Sequence, residues 1–426
     1  MVIVGTCRTL CPAAEARERA KNRQLHAVFE KEVAIKRYRR PAAGGRAEAS
    51  DTVRPPEVLQ RVMERLMGVV LRQADFTTCY PFIWDRLWAV RQDLTLQQCT
   101  CATTRSILAQ CVRFYVAAGV LCRSRSSSSR LQKSTSGGGD PGPVPLSVFD
   151  PDVNAQHLND TIGRLLHLYE DRAIVDDADR AEVESLYLLL NADSFAAVDR
   201  AMKLHPALKR RMGEAPFAVA TAFLHGNMYR VLRVAAGEAT RQLGGRPLQW
   251  SALAPKLASV RTRYLRTLNF AYGIRASSFP LDVLARWLDM TEDACEQLLD
   301  ACQIPVCITA ATTITTAAAA TPPAAITTTG AEEATATVTT TETATTVTTT
   351  RTTAATTTSI PPPTAPADAH AARKPPHAKR KSVAFLKTRR YIDDVNPNQL
   401  PFYFDADRVA ELRTRVGALV LGKNNQ

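Results

Sequence analysis

The sequence is short of histidine, of aromatic residues and of long apolar runs, and these shortages remove whole classes of function. Seven histidines are spread through 426 residues. His157, His167, His205 and His225 lie singly along helical patterns, without H-E-x-x-H or comparable spacing, so a zinc-hydrolase site is not expected. No stretch approaches the roughly 18 apolar residues of a membrane span. The apolar run Met1–Val4 is too short for a signal sequence. Nucleophile elbow, phosphate loop and paired acid/base signatures are missing, so neither enzymatic activity nor a cofactor is expected. Acidic residues are the minority: Lys and Arg number 54 against 41 Asp and Glu, a net charge of +13. That balance favours polyanions or acidic proteins as partners.

What is present is enough apolar residue, 45%, for a sizeable core and two or three domains. Ten cysteines are scattered through helical patterns and read as reduced, buried thiols. Cys7 and Cys11 are the one pair that invites a metal, but their spacing is not that of a knuckle and no second pair follows.

Helical periodicity runs through most of the chain. A charged helix is predicted over Ala13–Arg40, with Leu25, Val28, Phe29 and Glu32 on one side. The cationic run Lys36–Arg40 would be a solvated face or a phosphate contact. Leu59, Val62, Met63, Leu66, Val69 and Val70 form the next stripe. Over Tyr80–Thr95, Ile83, Leu87, Val90 and Leu94 share a face. The charged and aromatic residues there, Trp84, Asp85, Arg86, Arg91 and Asp93, read as packing and inter-helix ion pairs rather than an active site. Ile107, Leu108, Cys111, Val112 and Tyr115 mark another amphipathic helix. Residues 123–147, rich in Ser, Gly and Pro, read as a flexible insertion. Apolar faces resume with Leu158, Ile162, Leu165, Leu166 and Tyr169, then Val183, Leu186, Tyr187 and Leu190. Phe195, Val198 and Met202 follow, then Phe217, Ala220, Phe223 and Leu224, and then Tyr229, Leu232 and Val234. Helix pairs of this size stack into a solenoid.

Between Arg261 and Ile304 three short helices meet at tight turns. Tyr264, Leu265, Leu268 and Tyr272 lie on the first. Val283, Leu284, Trp287 and Leu288 lie on the second. Thr291 caps a third that carries Ala294, Leu298 and Leu299. This is a helix-turn-helix pattern. Residues 309–378, almost wholly Thr, Ala and Pro, read as disordered. A short strand-like stretch, Ser382–Leu386, follows the basic cluster Lys379, Arg380 and Lys381. That cluster reads as a nuclear-localisation signal, a phosphate contact or a solvated flank. Val409, Leu412, Val416 and Leu419 share the face of a final helix, read as packing on the body.

Several of these blocks, in order, resemble the SAC/GANP family of nuclear scaffolds. They are Gly5-Thr6-Cys7 with Cys11-Pro12, the segment Ala34–Ala43, the block around Trp84-Asp85-Arg86, and Phe149–Asn154. Asn269 and Phe270 follow, and then Phe279-Pro280-Leu281. The resemblance implies an all-α fold: a TPR-like solenoid of stacked helix pairs ending in a PCI-type winged helix with a small β-wing. It implies an extended N-terminal segment over the helical body. Wing strands are expected at 305–308 and 382–386. The divisions expected are a signature region and first helices (1–122), the flexible insertion (123–147) and a helical-repeat region (148–260). A winged helix (261–308 and 379–390), the Thr/Ala/Pro insertion (309–378) and a C-terminal tail (391–426) complete them.

By the same resemblance the chain would be a non-enzymatic scaffold in nuclear mRNA export. It would pair with a PCI-domain protein, which a small acidic proteasome-lid-type peptide braces. A basic winged-helix surface would face RNA or single-stranded nucleic acid, with Arg261, Arg263, Arg266, Arg275, Lys379, Arg380, Lys381 and Lys387 as candidate contacts. The short, centrosome-linked relative offers the alternative: centrosome duplication and spindle assembly through centrosomal or spindle proteins. Location would be nuclear, or cytoplasmic at the centrosome and spindle. No membrane partner is implied.

Overall fold

The computed structural model describes residues 3–40, 49–133, 149–170, 178–237, 246–272, 278–309, 380–384 and 406–422. The chain forms a body, residues 1–308 with 381–426, and a second unit, residues 309–380. The reading of 309–378 as disordered lies outside the described residues, apart from Thr309.

The chain enters as an extended segment. Thr6 N donates to Ser50 O (2.9 Å) and Cys7 N to Val53 O (3.1 Å), while Gly5 N donates to Gln97 Oε1 (3.2 Å). Only glycine fits at position 5, because a Cβ there would lie 2.6 Å from Val53 O. Helix α1 (Ala13–Lys21) follows and stops far short of Arg40, against the expectation of one long helix.

The reason lies in Glu30. Its buried carboxylate accepts the N–H groups of His26 and Ile35, both at 3.0 Å, and pairs with Arg19 (2.5 Å) and Arg86 (3.2 Å). Chain wrapped round one carboxylate gives its N–H groups to that carboxylate and not to a helical ladder. Burial alone would raise the Glu30 pKa. The His26 and Ile35 N–H groups, Arg86 and Arg19 outweigh it and hold the carboxyl below its usual range. Phe29 turns inward while Val28 and Glu32 face solvent, so the four residues expected on one helical side do not form a face.

Helix α2 (Pro56–Arg65) starts with proline at its first position and runs through a π-turn at Leu66–Val70. Leu59, Val62, Met63, Leu66 and Val70 are buried, as their spacing predicts. Asp75 caps α3 (Phe76–Leu96) by accepting Thr77 N at 3.2 Å, and Ile83, Leu87, Val90 and Leu94 are fully buried.

Helix α4 (Ala102–Lys133) differs from expectation twice. Its backbone continues beyond Arg123, so the expected insertion starts late; residues 134–148 lie outside the described ones. It is also not amphipathic: from Ile107 to Cys122 every residue except Gly119 is buried. Ala102–Arg123 is in fact long and apolar enough to cross a membrane, contrary to the reading that no stretch approaches that length. Most of it is buried inside the body, where a helix apolar on all sides belongs. α2 and α3 pack against it.

The solenoid continues through α5 (Pro151–Leu168), α6 (Ala178–Leu190), α7 (Phe195–Lys203), α8 (Pro206–Met212), α9 (Glu214–Leu224), α10 (Met228–Ala236) and α11 (Pro247–Leu253). Val183 and Leu186 of α6 are buried as predicted. On α7 the prediction holds for Val198, which packs against the buried cluster, and is inverted for Phe195 and Met202. Ala197 and Ala201 face inward, in a small cluster with Ala181, Leu188, Leu208 and Met212, and Phe195 and Met202 face solvent. The small residues let α7 approach α6 closely; the large ones would hold it off.

Helix α12 (Leu257–Tyr272) leads to strand β1 (Ser278–Pro280), α13 (Leu281–Trp287), α14 (Glu292–Ala301), β2 (Val306–Thr309) and β3 (Arg380–Ala384). The strands form one sheet in the order β1-β3-β2. β1 and β3 are antiparallel, with Phe279 opposite Val383. Strands lie within a residue or two of both expected stretches, and β1 is an addition to them. Helix α15 (Ala406–Leu421) then packs back on α4, α11 and the π-turn. The molecule is thus all-α in class, a helical solenoid with a small sheet at its end.

Candidate nucleic-acid and partner interface

Two buried ion networks tie the N-terminal segment to α3. In the first, Asp93 of α3 accepts Arg54 Nε (2.6 Å) and Lys36 Nζ (2.8 Å) with no solvent exposure of its side chain. Lys36 Nζ also donates to Thr52 O (2.8 Å). Lys36 is therefore a structural cation, which removes it from the phosphate-contact reading of Lys36–Arg40. In the second, Arg86 pairs with Glu30 and Asp85 and lies 4.2 Å over the Phe82 ring. Arg91 donates to His157 Nδ1 (2.7 Å) beside Trp84 and Trp88, whose rings lie 5.0 and 4.7 Å from His157. The charged and aromatic residues of the Tyr80–Thr95 block thus make packing contacts and ion pairs, as read from the sequence. Arg91 pairs between helices, with Asp160 of α5 (3.9 Å), whereas Asp93 and Arg86 pair with Lys36, Arg54 and Glu30 outside the helices and with Asp85 of the same helix.

The N-terminal signature is likewise structural. Cys7, Cys11 and Pro12 are buried, and burial, followed by the Glu15 charge, pushes the Cys11 thiol up to about 12. Among the described residues no three His, Cys, Asp or Glu side chains are grouped to hold a metal.

The sequence-predicted cations fall into separate environments. Arg261 is 4% exposed. Its guanidinium donates to Leu288 O (2.9 Å) and Asp289 O (2.8 Å), at the C-terminal end of α13. A cation there complements the helix dipole and locks α12 to α13, so Arg261 is an internal tie and not a surface contact. Arg263 is exposed and Arg266 half-buried on the same helix. Lys381 of β3 is exposed but paired with Glu296 of α14 at 2.5 Å, and that hydrogen bond raises its pKa. Glu292 and Asp293 add negative charge on the same helix. Arg380 lies on β3; Arg275, Lys379 and Lys387 lie outside the described residues.

Of the expected set, Arg263 and Arg266 share α12 with Tyr264 and Tyr272, two members of a run of aromatic rings, but Arg263 faces toward Asp193 and Arg266 toward Cys302. Tyr264 lies 5.7 Å from Tyr229 of α10, and Tyr229 lies 6.1 Å from Trp287 of α13. Trp287 lies 5.1 Å from Phe279, and Phe279 5.2 Å from Tyr272. Phe279 is buried and anchors the row, while Tyr229 and Tyr272 are partly exposed and Phe270 is 62% exposed. Arg233 lies 5.9 Å over Tyr229, and Arg230 is exposed beside it. Burial, then the neighbouring Tyr229 and Tyr272, pushes the Tyr264 pKa up to about 12. The surface therefore keeps its hydroxyl neutral. Planar faces among guanidinium groups suit stacked bases and phosphates together. Tyr229, Arg230 and Arg233 were missed from sequence. The signal was the Y-R-x-x-R spacing on α10, which puts the ring and the second arginine on one helical side.

The remaining signature residues are placed by packing. Asn269 is buried and Leu281 nearly fully so, Pro280 precedes α13 as its cap residue, and Thr6 is exposed.

Comparison with known proteins agrees with this architecture. The model of the SAC3/GANP family matches residues 10–307. SAC3 family protein B of Arabidopsis thaliana is 26% identical over 324 residues, covering 70% of this chain and 17% of that protein. SAC3 family protein 1 of Schizosaccharomyces pombe is 32% identical over 108 residues, 23% of this chain and 10% of the relative. Protein xmas of Drosophila melanogaster is 26% identical over 206 residues, 44% of this chain and 9% of the relative. The chain spans less than a fifth of the length of these curated relatives. With the family model covering well over half of its residues, the chain belongs to the SAC3/GANP family.

Proposed function

We propose that this chain is a non-enzymatic scaffold of nuclear mRNA export, pairing with a PCI-domain protein through its winged-helix end and presenting single-stranded RNA with the face built by α10 and α12. The small acidic peptide would brace the partner. The observation that carries the RNA contact is the row of rings, Tyr264, Tyr229, Trp287 and Tyr272, with Arg233 over Tyr229, Arg230 next to it in the chain, and Arg263 and Arg266 on other sides of α12. Stacking on rings tolerates any base, and guanidinium–phosphate contacts are salt-sensitive. The wing contributes less, because Lys381 already has Glu296 as counter-charge.

Fluorescence anisotropy with single-stranded RNA at several salt concentrations tests this. Arg263→Glu/Arg266→Glu should weaken binding for all sequences alike and lower the salt slope by about 1.4, at about 0.7 for each lost phosphate contact. Lys381→Glu should have the smaller effect. An unchanged affinity and slope in the double variant would remove RNA from the reading. A pull-down after nuclease treatment separates the two family roles. A PCI-domain protein and an acidic peptide mark the export scaffold; centrosomal or spindle proteins without them mark the cytoskeletal role.

A further inference from the structure

Helix α7 carries an apolar row of its own. Phe195, Val198 and Met202 stand at i, i+3 and i+7, so they share one helical side. Phe195 is 74% exposed, Met202 59%, and Val198 is partly buried. Single exposed apolar residues are ordinary on any surface. Here two large ones end a two-turn row, about 10 Å long, while the alanines of the same helix face inward. The helix is not misplaced: its buried side is complete.

The charge beyond the Met202 end of the row is positive, while Asp193 and Asp199, nearer its start, are paired with Lys256 and Lys203. Lys209 Nζ donates to Met202 O at 2.6 Å, which ties the basic last turn of α8 to the Met202 end. From Lys203 to Arg211 the chain holds Lys203, Lys209, Arg210 and Arg211 and no acid. Lys203 pairs with Asp199 (2.6 Å). Lys209 and Arg210 have no carboxylate partner among the described residues.

We propose that this face of α7, with Lys209 and Arg210 at its end, is the docking site for an acidic amphipathic helix of a partner protein. Apolar side chains at i, i+3 or i+4, and i+7 of that helix would fill between Phe195, Val198 and Met202. Its carboxylates would meet Lys209 and Arg210. Helix packing of this kind is a recurrent recognition mode. Charge decides the occupant. A second copy of this chain would bring the same cations, and its Asp199 is already held by Lys203. A nucleic acid would match the cations but leave the Val198 and Met202 surface exposed, with a single ring for stacking.

The test is fluorescence anisotropy with the full chain and a labelled helical peptide. The peptide carries leucines at i, i+3 and i+7 and glutamates elsewhere. Two controls share its length: a scramble of the same composition and a version with lysine for glutamate. Saturable binding is expected for the first peptide. It should weaken at least tenfold for both controls, in Phe195→Glu/Met202→Glu, and in Lys209→Glu/Arg210→Glu. Phe195, Met202 and Arg210 are exposed and Lys209 is half-buried, and unchanged thermal unfolding checks that the variants fold. Equal binding of the scramble, unaltered binding to the Phe195/Met202 variant, or no binding of the first peptide overturns the proposal. So does self-association in sedimentation that Phe195→Glu abolishes. A single-stranded RNA whose affinity falls in that variant, with no peptide binding, overturns it as well.

Discussion

His157 shows how one residue registers its surroundings. It is buried on α5 against Trp84, Trp88 and Tyr115, and its Nδ1 accepts from Arg91. Burial first, then the Arg91 charge, pushes its pKa from 6.5 down to about 4, against the smaller pull of Asp160. The unfolded chain therefore takes up the proton at higher pH than the folded one. This stability contribution is complete above about pH 6.5 and is lost as pH falls toward 4, by up to about 3 kcal/mol. His157→Gln keeps an acceptor for Arg91 but cannot titrate. Denaturant midpoints measured from pH 7 to 4.5 should fall less steeply in this variant than in the natural chain; parallel slopes would count against it. That His157 is structural was legible in the sequence, since no second ligand stood at metal spacing. Its partners were not, because Arg91 and His157 sit on different helices and nothing in linear order brings them together.

At the scale of the element, periodicity alone located most helices but not which side of each was buried. Ile83, Leu87, Val90 and Leu94 are large on one face and charged on the other, so α3 could be oriented from sequence. α7 carries large apolar residues on one face and alanines on the opposite one. Hydrophobicity selected the first, and close packing against α6 required the second. The Ala13–Arg40 prediction failed for a related reason: nothing in the pattern showed that Glu30 would draw the backbone round itself. The candidate surface divides in the same way. Arg263 and Arg266 were legible, while the burial of Arg261 depends on where α13 ends. The α7 orientation predicts an inverted sensitivity. Ala201→Leu should overpack the α6–α7 contact and cost about 1–3 kcal/mol, while Met202→Ala should stay within about 0.5 kcal/mol. Chemical denaturation of the two neighbours distinguishes them; equal losses would mean that α7 is turned as the sequence pattern suggests.

At the scale of the molecule, α15 is the element that joins distant parts of the body. It reaches α4, α11 and the π-turn after α2, burying Val409, Leu412, Val416 and Val420. Gly417 passes so near the π-turn that a Cβ there would lie 3.2 Å from Met67 O. At its start Arg408 donates to Ala235 O and Ala236 O, both at 2.7 Å, closing the C-terminal end of α10. The Arg408 guanidinium also lies 5.6 Å over Trp250. One helix thus holds the early helices, the middle of the solenoid and the end of α10, and α10 supplies Tyr229 to the ring row. Leu412 has no solvent exposure, so Leu412→Ala should cost about 2–5 kcal/mol by chemical denaturation. The loss should also be spread. Hydrogen exchange should speed up in the π-turn around Met67, in α11 around Trp250 and at the end of α10 together, because all three lean on the same helix. Faster exchange confined to α15 would mean that it rests on the body without bracing it. The ring row would then be held by α12 and α13 alone, through Arg261.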